Sequence, residues 1–208
     1  LSKQVLVIGA TGRTGLLIVE QALARGFAVT VLARRPEVLG ELQSRVSVVQ
    51  GDVLDRAAVS RAVAGKEAVL CALGPGRDSP PTLCSEGTQN LVSAMEAQGV
   101  RRLVCITGAL IGHPEKCLGW LYREMRMAQG SALQDRQRQE QLIQGSGLDW
   151  TLVRPPRLTR GKPQGLWRVG EDISIKAMAR ISRADLAHFM VQQVEDAHFL
   201  RRGVAISY

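Results

Sequence analysis

Aromatic side chains are scarce in this chain of 208 residues, where Phe, Trp and Tyr together make up 4%. A groove for single-stranded nucleic acid needs aromatic platforms on which bases stack. The arginines behind most of the basic excess, among them Arg13, Arg34, Arg35, Arg101, Arg102, Arg201 and Arg202, are scattered with almost no aromatics between them. Nucleic acid is therefore not expected as a partner. The charge balance, 27 Lys and Arg against 19 Asp and Glu for a net +8, points to an anionic ligand or to a nonspecific attraction to polyanions.

Long apolar runs are missing as well, since none approaches the roughly 18 residues that cross a bilayer. No positively flanked apolar leader precedes the first strand, so the expectation is a soluble, cytoplasmic protein with no membrane partner. Cys71, Cys84, Cys105 and Cys117 form no CxxC pair and stand at no metal-ligand spacing with histidine. They read as reduced thiols acting as small apolar residues, and no metal is expected. Histidine offers little: His188 lies beside the buried face of a helix and His198 near the end, both in structural roles. The Tyr and Lys four residues apart that serve carbonyl reduction in short-chain dehydrogenases are also absent. Tyr122 is followed at that spacing by Arg126, whose guanidinium could support a phenolate, yet the tyrosine reads as a surface residue. No catalytic residue is assigned. The length suits one well-buried α/β domain, with no repeat or linker, and a monomer is expected ahead of an oligomer.

What is present is organised around Val5 to Gly15, VLVIGATGRTG. Four apolar residues read as a strand buried on both faces, and Gly9, Gly12 and Gly15 follow before the apolar pattern of a helix begins. Glycines let the backbone turn sharply and approach a ligand, and the amides of the helix start favour a phosphate. The second strand, Ala28 to Leu32, ends in Ala33, Arg34 and Arg35, where a fold that selects NAD usually places an acid against the ribose hydroxyls. Two guanidiniums there suit an adenosine 2′-phosphate, so NADP (NADPH) is the expected cofactor. Val46 to Val49 is a third strand, and Asp52 and Val53 in the loop after it would flank the adenine, although Asp52 could equally make only turn bonds. Asp55 caps the next helix. Strands follow at Ala68 to Leu73, Leu103 to Thr107 and Trp150 to Arg154, with a helix from about Pro81 to Gln98. Gly74 lies in the loop facing the crevice, and Thr107 and Gly108 sit where the nicotinamide should lie. Residues 109 to 130 read as an irregular flap or helical insertion over the site. The last third holds a hairpin around Trp167 to Ile173, a capping box at Ser182 and Asp185, and a final strand from Gly203 to Ser207. The expected fold is a doubly wound parallel α/β sheet, a Rossmann fold.

GATGRTG, VLARR, GDVLD, the Ser85, Glu86, Gly87 helix start, SGLDWTLVRPP and ISRADLAHFM together resemble the atypical short-chain dehydrogenase/reductases with an NmrA-like nucleotide fold. Within that group the chain is most similar to the flavin and biliverdin reductases, over essentially its whole length. The resemblance implies that Gly9, Thr11, Gly12, Arg13, Thr14 and Gly15 hold the pyrophosphate and 2′-phosphate end, with Arg34 on that phosphate and Arg35 beside it. It places Leu73, Gly74 and Thr107 near the nicotinamide half, and Pro155, Arg157 and Leu158 in a segment that closes on it. Three departures concern the substrate: Gly108 stands where those reductases usually carry serine, Arg136 and Arg157 stand where they carry histidines, and the 109 to 130 segment is longer. Three functions follow: an NADPH-dependent reductase of a conjugated acceptor such as a flavin (FMN or riboflavin) or a linear tetrapyrrole (biliverdin), a non-catalytic NADP-sensing regulator, and a nucleotide-sugar epimerase or dehydratase. The first is preferred, because the third needs the missing Tyr/Lys pair and a substrate domain.

Overall fold

The computed structural model describes residues 2–76, 78–111, 119–175 and 178–208, with the side chains of 119–129 outside that description. Its centre is β1 (Gln4–Ile8), flanked on both sides by parallel partners, β2 (Ala28–Ala33) and β4 (Ala68–Cys71). Val5 and Val7 enter one apolar cluster while Leu6 and Ile8 enter the other. That two-residue alternation with apolar groups on both faces is why the sequence shows an unbroken hydrophobic run and no polar side.

The sheet continues through β3 (Ser47–Gln50), β5 (Arg102–Ile106), β6 (Asp149–Arg154), β8 (Arg168–Gly170) and β10 (Arg202–Ser207), in the order β3-β2-β1-β4-β5-β6-β10-β8. All neighbours are parallel except β8, which runs antiparallel to β10 at the edge. A second, two-stranded sheet joins β7 (Arg157–Thr159) to β9 (Arg180–Ser182). Helices α1 (Arg13–Ala24) and α5 (Arg183–Gln192) cover one face. The other face carries α2 (Arg56–Val63), α3 (Leu83–Ala97) and the end of α4 (Gly119–Gln144). The doubly wound parallel architecture is thus the expected one, and the chain order reverses between β1 and β4, where a crevice opens at the carboxyl ends of the strands.

Local chemistry sets several element ends. Asp55 accepts from the Ala57 amide at 2.9 Å and caps α2. Ser182 accepts from the Asp185 amide at 3.0 Å and starts α5 as the capping box required. The start of α3 has no cap of its own. Asp135 of α4 supplies one, accepting from the Cys84 and Ser85 amides at 2.8 and 2.9 Å.

Two expectations need correction. Residues Trp167 to Ile173 form no hairpin, because β8 finds its partner in β10 at the sheet edge, pairing Val169 with Ile206. Nor is the 109 to 130 segment irregular throughout: residues 119–129 are helical, which agrees with a helical insertion, and run into the polar helix across a kink at Gly130, whose φ of 34° only glycine adopts readily. His113, Lys116 and Cys117 lie outside the described residues, as do the side chains of Trp120, Tyr122, Arg123 and Arg126.

Candidate functional site

The three glycines of the β1 to α1 turn do different work. Gly9 has a φ of 76°, and a Cβ there would lie 2.5 Å from the Ala72 carbonyl oxygen of the neighbouring strand end. At Gly15 a Cβ would fall 2.0 Å from the Gly9 oxygen. Both positions are closed by the protein itself. Gly12 is exposed and extended, and a Cβ would meet only the Gly9 oxygen, at 3.2 Å. The space beside Gly12 therefore belongs to a groove and not to the packing. No side chain caps α1 and its first turn holds no acid, so the Arg13, Thr14 and Gly15 amides remain for an anion.

That groove has a volume of about 610 Å³ and runs along the crevice from the end of β2 past β1 to β4. It gathers Gly9, Thr11, Gly12, Arg13, Thr14, Gly15, Arg34, Arg35, Asp52, Val53, Leu73, Gly74 and Leu158 along one wall or another. At its β2 end the Arg34 guanidinium lies 3.5 Å from the Asp52 carboxylate. Asp52 also accepts from the Leu54 amide at 3.0 Å, so one oxygen is spent in a turn and the other faces Arg34. Arg183 of α5 joins from above. Burial first, then Arg13 and Arg160, hold its guanidinium below the ordinary arginine value.

Thr107, Pro155 and Arg157 line a second cavity of about 490 Å³ that adjoins the groove, the two sharing Pro75, Ser79 and Arg136. Its walls are largely apolar, from Pro80, Ala109, Leu110, Leu133 and Ile175. Cys84 also faces it, and burial pushes that thiol up to about 12, so it serves as an apolar surface and not as a nucleophile. Among the described residues a Cβ on Gly108 would meet nothing within 4 Å, so against them the serine expected there in similar reductases would fit.

Thr107 is fixed from behind. Its hydroxyl donates to Glu140 at 2.5 Å, and Glu140 is paired with Arg154 through bonds of 3.0 and 2.5 Å. Glu140 is 3% exposed. With its proton committed to this buried carboxylate, Thr107 presents only lone pairs to the cavity and can accept but not donate there. Among the described residues no group of three or more His, Cys, Asp or Glu could hold a metal ion.

A family model described as NAD(P)H-binding matches residues 9–197. The chain belongs to that family and binds NAD(P)H. The (4-alkanoyl-5-oxo-2,5-dihydrofuran-3-yl)methyl phosphate reductase of Streptomyces griseus is 34% identical over 151 residues, 73% of this chain and 46% of that protein. The chain spans 62% of a chloroplast protein of Arabidopsis thaliana that matches it at the same identity. Among solved structures, the anaerobillin reductase ChuY of Escherichia coli O157:H7 superposes with a TM-score of 0.84 at 20% identity, covering 98% of this chain and 96% of that one. A short-chain dehydrogenase/reductase of Veillonella parvula in complex with NADP gives 0.83 at 16% identity, covering 100% and 95%. At these identities the two structures speak for the fold.

The sequence places the residues at strand ends and in the first turn of α1, but not Arg183 and Glu140, which later helices bring in. Arg183 follows the capping serine by one position, and nothing in local spacing aims it at the groove. Glu140 lies in a helix that reads as polar and solvated, and only the tertiary contact with Thr107 and Arg154 gives it a role.

Proposed function

We propose that this protein is an NADPH-dependent reductase that passes hydride to a conjugated acceptor such as a flavin or a linear tetrapyrrole. The observation that carries the proposal is the junction of the two cavities: a polar, glycine-floored groove opens into an apolar cavity at the carboxyl ends of β4 and β5. A dinucleotide in the groove and a flat acceptor in the cavity would meet there. The name borne by one relative supports a reductase, since that protein acts on a furanone methyl phosphate.

Bound NADPH supplies the hydride and the redox chemistry. This chain's residues supply position. The open amides of Arg13 to Gly15, with Arg13 and Arg183, would hold the diphosphate, and Arg34 and Arg35 the 2′-phosphate. Leu73, Gly74, Leu158 and Pro155 would bracket the nicotinamide half. Thr107, an acceptor only, would orient a donor such as the carboxamide N–H. No dedicated proton donor is needed when charge spreads over an extended conjugated system, and solvent supplies the proton. The test is a screen of NADPH oxidation against flavins, biliverdins and quinones. Acceptor-dependent oxidation with at least one is expected, and tight NADPH binding without oxidation by any would contradict the proposal.

A further inference from the structure

Arg136 stands apart from the other site arginines. Arg13, Arg34, Arg35 and Arg183 belong to the groove alone, whereas Arg136 lines both the groove and the apolar cavity. It is pinned through one nitrogen: Nη1 donates to the Ile106 carbonyl at 3.1 Å and to Gln139 Oε1 at 2.8 Å. Gln139 is itself fully buried and anchored by its own bond to Thr88 Oγ1 at 3.0 Å. Nη2 and Nε have no partner among the described residues, and Nη2 would lie 3.3 Å from a Cβ built on Gly74, at the floor of the junction. The guanidinium is thus held in place with donors to spare.

Asp135 faces the same cavity and, with both oxygens turned to the Cys84 and Ser85 amides, forms no ion pair with Arg136 among the described residues. Arg157, exposed on the opposite wall, adds a second positive charge. An apolar cavity with one pinned and one exposed guanidinium matches an acceptor that has a flat apolar body and a carboxylate or phosphate. We infer that Arg136, assisted by Arg157, recognises an acidic group on the acceptor, so that the enzyme selects anionic conjugated acceptors over neutral analogues. This deepens the reductase reading and rests on it.

The test compares acceptors that differ only in the acid: FMN with riboflavin, and biliverdin with its dimethyl ester. KM is measured with NADPH, and Kd is measured on protein saturated with NADP⁺. The acidic member should be favoured by about tenfold, roughly the loss of one charge-assisted hydrogen bond. Arg136→Gln should bring the ratio near one, Arg136→Lys should keep much of it, and Arg157→Gln should reduce it in part. A ratio near one in the unmodified protein, or one that survives both Gln variants, overturns the inference. So does a matching rise in the NADPH Kd of Arg136→Gln, which would assign the guanidinium to the cofactor. If no acceptor turns over, the reductase reading fails, while the binding ratio still decides the role of Arg136.

Discussion

Arg34 and Asp52 face each other at 3.5 Å across the mouth of the groove, one from the end of β2 and the other from the loop after β3. The pair is half-exposed, so it adds little to stability, and its value lies in what it presents to a ligand. A 2′-phosphate would compete with Asp52 for the guanidinium. Arg34→Ala is expected to weaken NADPH binding by about 1.5 kcal/mol or more, roughly tenfold, and to leave NADH nearly unchanged. Titration calorimetry with both nucleotides checks this, and equal losses would remove Arg34 from the 2′-phosphate site.

The glycine turn separates packing from binding. Gly15→Ala places a methyl group 2.0 Å from the Gly9 oxygen and should cost the fold several kcal/mol, on the order of overpacked or strained sites. Gly12→Val brings its Cβ to the Gly9 oxygen at 3.2 Å, a far milder contact than at Gly15, and its branches enter the groove, so it should still fold while losing nucleotide binding. A Gly12→Val protein that binds NADPH normally would show that nothing approaches this position.

The Thr107, Glu140 and Arg154 chain is a buried support behind the second cavity. Glu140→Gln leaves Arg154 buried without a counter-charge and should cost about 3–5 kcal/mol in urea denaturation. Thr107→Val removes one bond and leaves the ion pair intact, so its cost should be less, about 1.5–3 kcal/mol. A Glu140→Gln protein as stable as its parent would mean that the pair is solvated.

At the far end of the chain, Asp185 accepts from the Tyr208 hydroxyl at 2.5 Å and from the Gln164 and Gly165 amides at 2.9 and 3.1 Å. Burial opposes ionisation, yet the hydrogen bonds, from Tyr208 first and including one from Ser182, outweigh it and hold the carboxyl below the usual aspartate range. A lowered folded value means that the stabilisation is full above the unfolded value of about 3.9 and disappears as pH falls through the folded one. Asp185→Asn should therefore be less stable than the parent at neutral pH, with the gap closing below about pH 4. A gap that stays constant into acid would show that the charge plays no part.

How much of this was legible in the sequence follows from what each residue depends on. The glycine turn, the arginines after β2 and the capping residues Asp55 and Ser182 act within a few positions of themselves, so spacing alone places them. The fold followed, because each strand carries its apolar run between turn signals. The edge strand β8 was not legible: three residues, Arg168 to Gly170, pair with a strand more than thirty positions later in the chain, and no local period records that. Asp135, Arg136, Gln139 and Glu140 fall on consecutive turns of a helix whose composition is that of a solvated surface. Their roles come from facing α3 and β5, a relation that periodicity on a polar helix does not show.

In the proposed reductase, hydride transfer rests on positioning alone, with no protein acid in the step. Single-turnover oxidation of bound NADPH by FMN or biliverdin, followed in stopped flow between about pH 6 and 8, tests it most directly, since an unperturbed histidine titrates in that range. Complete oxidation at a rate nearly independent of pH is expected, with Tyr122→Phe within about threefold of the parent, because a lost general acid would cost roughly 10²–10⁴. A sharp pH profile abolished by Tyr122→Phe, or NADPH that stays reduced in the presence of every acceptor, would contradict it.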